Sequence, residues 1–352
     1  MIIPSCYTEF QTLKEVLVGS AFNVSNFDHI QDNQAKDLFK RIFEETNEDL
    51  EILCDILKKE NIIVHRPNSV FEFTEEDSIN LPWLKSQFPN HPLMPRDILG
   101  IYGTNIVEHF TGDGGRFFEN LAYQHVSRNL FDRGMRWISM PMPIVTTQKI
   151  PYADMNNSQI LYHAANIIKC GKDLFYSLPG DIDYVKGKGT SIGLEWLQKE
   201  LGNDFRFNRI HTGGHADGKI ALLKPGVLMT WNKRWVPEKL LDWDIIEVTS
   251  EKELPLEFQK IRKQRYYKNF IEEWFGHWIG NVDETVFDVN VLSISPDKVI
   301  CTGTNNYAFR RMEQHGITPI YWKFRHQYFW DGGIHCVTQD LVREGQQENY
   351  FD

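Results

Sequence analysis

Apolar positions along this chain fall into two rhythms. Short runs rich in β-branched and aromatic residues come in pairs around a turn signal, which is the pattern of a β-hairpin. The clearest pair is "GKIALLKPGVLMTW" (218 to 231), turning at Lys224-Pro225-Gly226. Similar pairs are "DILGIYGTNIVEHF" (97 to 110) around Gly103, "ANIIKCGKDLFYSL" (165 to 178) around Gly171 and "VNVLSISPDKVICTG" (289 to 303) around Pro296-Asp297. Two strand-like segments lack a neighbour, "LKEVLVGSA" (13 to 21) and "CVTQDLVRE" (336 to 344), and pairing them makes a fifth hairpin from the two ends. The second rhythm has the 3.6-residue spacing of amphipathic helices: 35 to 60, 115 to 134, 193 to 201 and 306 to 316, with the charge-rich stretch 249 to 269 reading as an exposed helix. A hairpin followed by a helix, repeated with turns near 103, 171, 225 and 296, predicts radial repetition in an α/β fold rather than a doubly wound sheet. No low-complexity segment or interdomain linker interrupts residues 1 to 352, so a single domain is expected.

Composition narrows the class. Of 352 residues, 41% are hydrophobic and 24% charged, near the average of soluble globular proteins and enough for a full core. No run approaches the ~18 apolar residues of a membrane helix, and the start "MIIPSCYTEFQTLKE" carries neither a signal-peptide nor a transit-peptide pattern, so a cytoplasmic location is the expectation. Five cysteines (6, 54, 170, 301 and 336) are odd in number and scattered, which predicts free thiols without a disulfide framework or a CxxC zinc site. A net charge of −10 offers no footprint for nucleic acid or anionic lipid and fits a cationic small molecule better.

The start of each hairpin carries polar residues that strand propensity does not explain: Arg96 and Asp97, His163 and Asn166, His215 and Asp217, Asp288 and Asn290, and His335 beside Cys336. Radially arranged hairpins would aim these groups at one axis. A thiol becomes a nucleophile when a neighbouring cation or base lowers its pKa, and His215 is the candidate partner for Cys336. The alternative is a small buried hydrophobe, the reading given to Cys6, Cys54, Cys170 and Cys301. Gly332, Gly333 and His335 tilt Cys336 toward chemistry, because glycines permit close backbone approach. In "HADG" (215 to 218) an extended backbone would set His215 and Asp217 on one side, an imidazole for proton transfer beside a carboxylate for a cation. No third ligand with suitable local spacing accompanies them, so no metal site is expected.

These stretches resemble the amidinotransferase family, nearest its arginine:glycine members, within the guanidine-modifying (pentein) superfamily. The likeness runs through "LKEVLVG" (13 to 19), "MPRDILGIYGTNIVE" (94 to 108), "YHAANIIKCGKDLFY" (162 to 176), "IGLEWLQKEL" (192 to 201), "HADGKIALLKPGV" (215 to 227) and "GGIHCVTQDLVREG" (332 to 345), nearly the whole chain. It implies a five-bladed, pseudo-fivefold α/β propeller with the active site on the central axis. It further implies that Cys336 attacks the guanidinium carbon of arginine, that His215 is the general acid and base, and that Asp97 and Asp217 hold the guanidinium by bidentate bonds. Arg234 falls where the family binds the donor carboxylate, with Asn166 and Asn290 as further substrate contacts. The implied partners are arginine and an amine acceptor, with no metal or cofactor required. A homodimer is the commonest outcome for such an enzyme.

The chain departs from the family at one point. The "YHAAN" segment sets His163 and Asn166 where the family has acidic residues, one of which orients the catalytic histidine. A neutral His163 can accept a hydrogen bond from His215 without stabilising an imidazolium as a carboxylate does. Three readings stay open on these residues: an arginine-dependent amidinotransferase, a guanidine hydrolase of the deiminase type, and a catalytically weakened guanidine-binding homologue.

Overall fold

In the computed structural model, residues 3–21, 30–68, 92–111, 116, 119–143, 159–178, 189–248, 253–272, 279–280, 287–303 and 305–351 are described. Strand β1 (Leu13–Val18) leads through the helix Asn33–Lys59 to β2 (Ile63–His65), which pairs with it in parallel. The hairpin β3 (Leu99–Tyr102) and β4 (Asn105–Glu108) passes through the helix Glu119–Asp132 to β5 (Arg136–Ser139), parallel to β4. The same unit recurs as β6 (Ile167–Cys170), β7 (Asp173–Ser177) and β8 (Arg206–Ile210), as β9 (Ile220–Lys224), β10 (Val227–Thr230) and β11 (Asp244–Glu247), and as β12 (Leu292–Ser295), β13 (Lys298–Cys301) and β14 (Thr318–Tyr321). Finally β15 (Thr338–Arg343) runs antiparallel to β1, with Val16 opposite Asp340, and completes the first sheet. Five three-stranded sheets of one construction result, each an antiparallel pair plus a parallel third strand, and they fit a pseudo-fivefold arrangement.

The predicted hairpins all form, including the one made by the two ends of the chain. Gly103 and Gly171 sit at their turns with φ of +58° and +66°, a conformation that costs other residues a Cβ clash. The turns are unevenly spaced because the crossovers differ. One is a 27-residue helix, others have 14, 11 and 9 residues, and β10 reaches β11 through two short 3-10 turns. The longest crossover starts at Asp32, whose side chain caps the N–H groups of Gln34 and Ala35, and ends with Lys58 and Lys59 at its negative pole. Its buried face, with Leu38, Phe39, Ile42, Phe43 and Leu53, packs on Phe329 and Trp330, and the Trp322 and Trp330 indoles donate to Asp49 O and Thr46 Oγ1 at 2.8 Å.

The helix expected over 249 to 269 is two helices, Leu256–Arg262 and Arg265–Phe270, with residues 249–252 outside the described set. An extended Gln264 breaks it, and the break turns Tyr267 and Phe270 onto Phe39, with ring centroids 5.6 and 3.7 Å away. No described helix is long and apolar enough to cross a membrane.

Candidate active site

Before the first strand of each hairpin the chain makes one tight turn. Asp97 lies in the turn Pro95–Ile98 ahead of β3, and Asn166 closes the 3-10 turn Ala164–Asn166 ahead of β6. Asn290 N donates to Phe287 O at 3.1 Å ahead of β12, and Val337 N donates to Gly333 O at 3.2 Å ahead of β15. The segment "HADG" is built the same way and is not extended: Lys219 N and Ile220 N both donate to Ala216 O at 3.0 Å. His215 and Asp217 therefore serve different neighbours, where strand alternation would have put them side by side.

Cys336 lies two residues ahead of β15 and is 8% exposed. Asn290 Nδ2 donates to its Sγ at 3.0 Å, while Asn290 Oδ1 accepts from His335 N at 2.8 Å and from Cys336 N at 3.4 Å. One amide thus fixes both the thiol and the backbone that bears it. That approach is possible because residue 333 is glycine: a Cβ there would stand 2.6 Å from Asn290 Oδ1. Asp217 Oδ2 lies 4.0 Å from the sulfur and accepts from His335 Nδ1 at 2.8 Å. Burial, with Asp217 and Asp97 adding repulsion, pushes the Cys336 thiol well above its ordinary value, against smaller opposing effects of hydrogen bonds from the Gly333 backbone and Asn290. The expected lowering by a neighbouring histidine is absent from this state. The sulfur is held by Asn290 and Asp217, whereas His215 faces His163 and Asp97.

His163 Nδ1 and His215 Nε2 are 2.8 Å apart, so the two rings share one hydrogen bond. His215 Nδ1 is 3.6 Å from Asp97 Oδ1. The other oxygen of Asp97 accepts from Arg116 Nη1, and Arg116 is itself clamped by Glu119, with Nε and Nη2 donating at 2.8 and 3.0 Å. Burial would raise the Asp97 carboxyl, but His215, Arg116 and His163 together hold it well below the usual carboxylate range. Asp97 and Asp217 each have one oxygen that accepts from a protein donor, Arg116 and His335 respectively. The other oxygen of each is turned to the site. Those two oxygens, Asp97 Oδ1 and Asp217 Oδ1, are buried and receive no hydrogen bond among the described residues.

Beneath this site lies a cluster of buried charge that sequence reasoning missed apart from Arg96. Arg96 Nε donates to Thr338 O at 3.1 Å and its Nη2 to Asp340. Lys169 Nζ stands 3.2 Å from Glu9 Oε1, and Arg343 Nε donates to Asp340 Oδ2 at 2.8 Å. His335 joins the cluster to the site, with Nδ1 on Asp217 and Nε2 3.3 Å from Glu9 Oε2. Burial and Arg96 would lower the His335 pKa, but the two carboxylates prevail and raise it above the ordinary value. A signal for Arg116 was available in the three-residue spacing of Arg116 and Glu119 at a helix start. Glu9 had none, since it reaches His335 from 326 residues away.

Asn166 is fully buried and stands against Gly189, whose Cβ would come within 3.4 Å of its Nδ2. Arg234 is exposed on the 3-10 turn Lys233–Trp235, where its backbone N–H donates to Asn232 Oδ1 at 3.0 Å. The structure brings together Asp97, His163, His215, Asp217, Asn290 and Cys336 as residues of converging lead-ins. It does not bring the Arg234 side chain into that group among the described contacts.

No family model matches the chain. Curated relatives do, over its whole length. It is 26% identical over 379 residues to inosamine-phosphate amidinotransferase 1 of Streptomyces griseus, covering 100% of both chains. It is 25% identical over 400 residues to the mitochondrial glycine amidinotransferase of Gallus gallus, covering 99% of this chain and 85% of that one. It is 24% identical over 385 residues to the L-arginine:L-lysine amidinotransferase of Pseudomonas savastanoi pv. phaseolicola, covering 99% and 97%. Among solved structures, the Streptomyces griseus inosamine-phosphate amidinotransferase superposes with a TM-score of 0.73 at 24% identity and complete coverage of both chains. A dimethylarginine dimethylaminohydrolase superposes with a TM-score of 0.58 at 11% identity over 94% of this chain and 100% of that one. From end to end, the chain is similar to proteins named as amidinotransferases, transferases of amidino groups, and it has the mixed α/β fold of the solved structure among them.

Proposed function

We propose that this protein is an arginine-dependent amidinotransferase that carries the amidino group on Cys336 and hands it to a primary amine. In this reading residues 1–352 act as one five-bladed α/β propeller with the site on its central axis. The observation that carries it is the pair of buried carboxylate oxygens, Asp97 Oδ1 and Asp217 Oδ1, that receive no hydrogen bond among the described residues and whose charges act on the Cys336 thiol. Buried carboxylate oxygens left without donors are costly, and a guanidinium supplies both the N–H groups and the positive charge they lack.

The same electrostatics give a trigger. While the site is empty, two carboxylates and burial keep the thiol protonated. A guanidinium placed between Asp97 and Asp217 cancels that repulsion, so the thiolate forms only when its target is present. The thiol proton passes to His215, and sulfur forms a bond to the guanidinium carbon. The C–N bond to the side-chain nitrogen then breaks as His215 returns the proton to that nitrogen, releasing ornithine. The acceptor amine enters, loses a proton to His215 and bonds to the amidino carbon while the C–S bond breaks and the electron pair returns to sulfur, and His215 passes its proton back to the sulfur to restore the thiol. His163, 2.8 Å from His215, positions the ring without adding negative charge. The relatives named above act on an inosamine phosphate, glycine or lysine, all amines, which supports an amine acceptor of the same kind.

The test is incubation of the purified protein with L-arginine in the presence of a chelator, with and without candidate amines. Ornithine should appear in proportion to added acceptor, and mass spectrometry should find an amidino adduct on Cys336 that Cys336→Ser lacks, with turnover down by several orders of magnitude. Citrulline with ammonia would instead assign a guanidine hydrolase. Arginine binding with no adduct and no product would leave a guanidine-binding homologue.

A further inference from the structure

The Asp97, His163 and His215 side chains come from three separate lead-ins, yet one donor atom from each lies within 4.8 Å of the others. His163 Nδ1 and His215 Nε2 are 2.8 Å apart, with rings tilted by 42°, and His215 Nδ1 is 3.6 Å from Asp97 Oδ1. Asp97 is 2% exposed, and its Oδ1 is aimed into this group without a hydrogen bond from any described residue. A four-coordinate zinc ion with bonds of about 2.1 Å sets its donors roughly 3.4 Å apart. The 2.8 and 3.6 Å contacts use opposite nitrogens of His215, and one ion takes only one of them, so the His215 ring must turn to draw a single set of three donors, now within 4.8 Å of one another, to that spacing.

A second acid–histidine group, Glu9, His335 and Asp340, also gathers its donors within 4.8 Å. There Arg96, Lys169 and Arg343 already supply the positive charge, and the group is closed to a further cation. Around Asp97 the Arg116 guanidinium engages the far oxygen, and Oδ1 accepts from no described residue. The His215 side chain is 18% exposed, which gives an ion a path from solvent.

We propose that Asp97, His163 and His215 form a binding site for a divalent first-row transition ion, zinc in the first instance. Two imidazoles and one carboxylate suit zinc, cobalt, nickel or copper and not magnesium or calcium, which take oxygen ligands. Three protein ligands leave a fourth position open. An ion held there occupies Asp97 Oδ1 and a nitrogen of His215, so the metal and a guanidinium exclude each other and the metal is a reversible brake on the enzyme. That consequence rests on the amidinotransferase reading; the site itself does not.

The experiment is a titration of the chelator-treated, dialysed protein with Co2+, followed by its visible absorption, and then competition with Zn2+. One Co2+ per chain should bind with the spectrum of a four-coordinate nitrogen and oxygen site, be displaced by Zn2+, and persist in Cys336→Ser. Affinity should fall at least about tenfold in His163→Asn and in Asp97→Asn, with thermal melts showing that each variant is folded. His163→Gln stands in should His163→Asn fail to fold. Absence of stoichiometric binding, unchanged affinity in the folded His163 variant, or a sulfur-to-cobalt band that vanishes in Cys336→Ser would each overturn the assignment. L-arginine should weaken Co2+ binding. If only that arm fails while the spectrum and variants behave as stated, the guanidinium placement falls and the metal site stands.

Discussion

Two clusters of buried charge meet at His335, and they are finished to different degrees. In the lower one, Arg96, Lys169 and Arg343 answer Glu9 and Asp340, and Asp340 alone has contacts with all three cations. In the upper one, Asp97 and Asp217 each keep a buried oxygen without a donor among the described residues. The fold saturates one pair of carboxylates a few ångströms from another that it leaves open, and in the proposed amidinotransferase reading a guanidinium completes the open pair. Buried charge by itself marks nothing; the missing partner marks the site.

The sharpest way to break this comparison is to neutralise one acid from each cluster. Asp340→Asn strands buried guanidinium and ammonium groups, so stability should fall by about 3–5 kcal/mol in denaturant unfolding. Asp97→Asn removes a charge that is only half satisfied. It should cost far less stability, while amidino transfer drops on the order of 100-fold or more. If the two variants were equally unstable, the clusters would be one structural unit. A smaller effect is expected at the thiol's own clamp. Asn290→Ala removes the donor to Cys336 and the acceptor for two backbone N–H groups, and turnover should fall roughly 10- to 100-fold. Gly333→Ala, whose new Cβ meets Asn290, should fall in the same direction by less.

The smallest effect is on pH. His335 has its pKa raised in the folded protein, so its contribution to stability is full below the ordinary histidine value and is lost as pH rises through the raised one. Melting temperatures measured from mildly acidic to alkaline pH should therefore decline more steeply for the wild type than for His335→Gln. Parallel curves would show that His335 is not the group titrating.

Much of the scaffold was legible because its signals are local. Gly103, Gly171 and Pro225-Gly226 mark hairpin turns by backbone chemistry, and polar residues ahead of apolar strands mark the lead-ins that carry Asp97, His215, Asp217, Asn290 and Cys336. What escaped is set by contacts between distant residues. The direction of Asp217 toward His335 depends on a tight turn that alternation cannot reveal. The engagement of one Asp97 oxygen by Arg116 depends on a partner 19 residues away. Arg234 was singled out by resemblance alone, and its side chain is exposed on the turn Lys233–Trp235. The split of the helix near Gln264 serves aromatic packing on Phe39, which no periodicity encodes.

The pairing of β15 with β1 puts Cys336 on a timetable. Cys336 is held two residues before a strand whose partner lies at residues 13–18, so Asp340 must find Val16 before the cysteine is in place. A loop that long closes slowly and late. Four hairpins can form while that last strand is still unmade, and until it docks, β1 offers an unpaired edge. Cys336 and the finished sheet thus arrive together, and a chain cut short before β15 has no thiol in place.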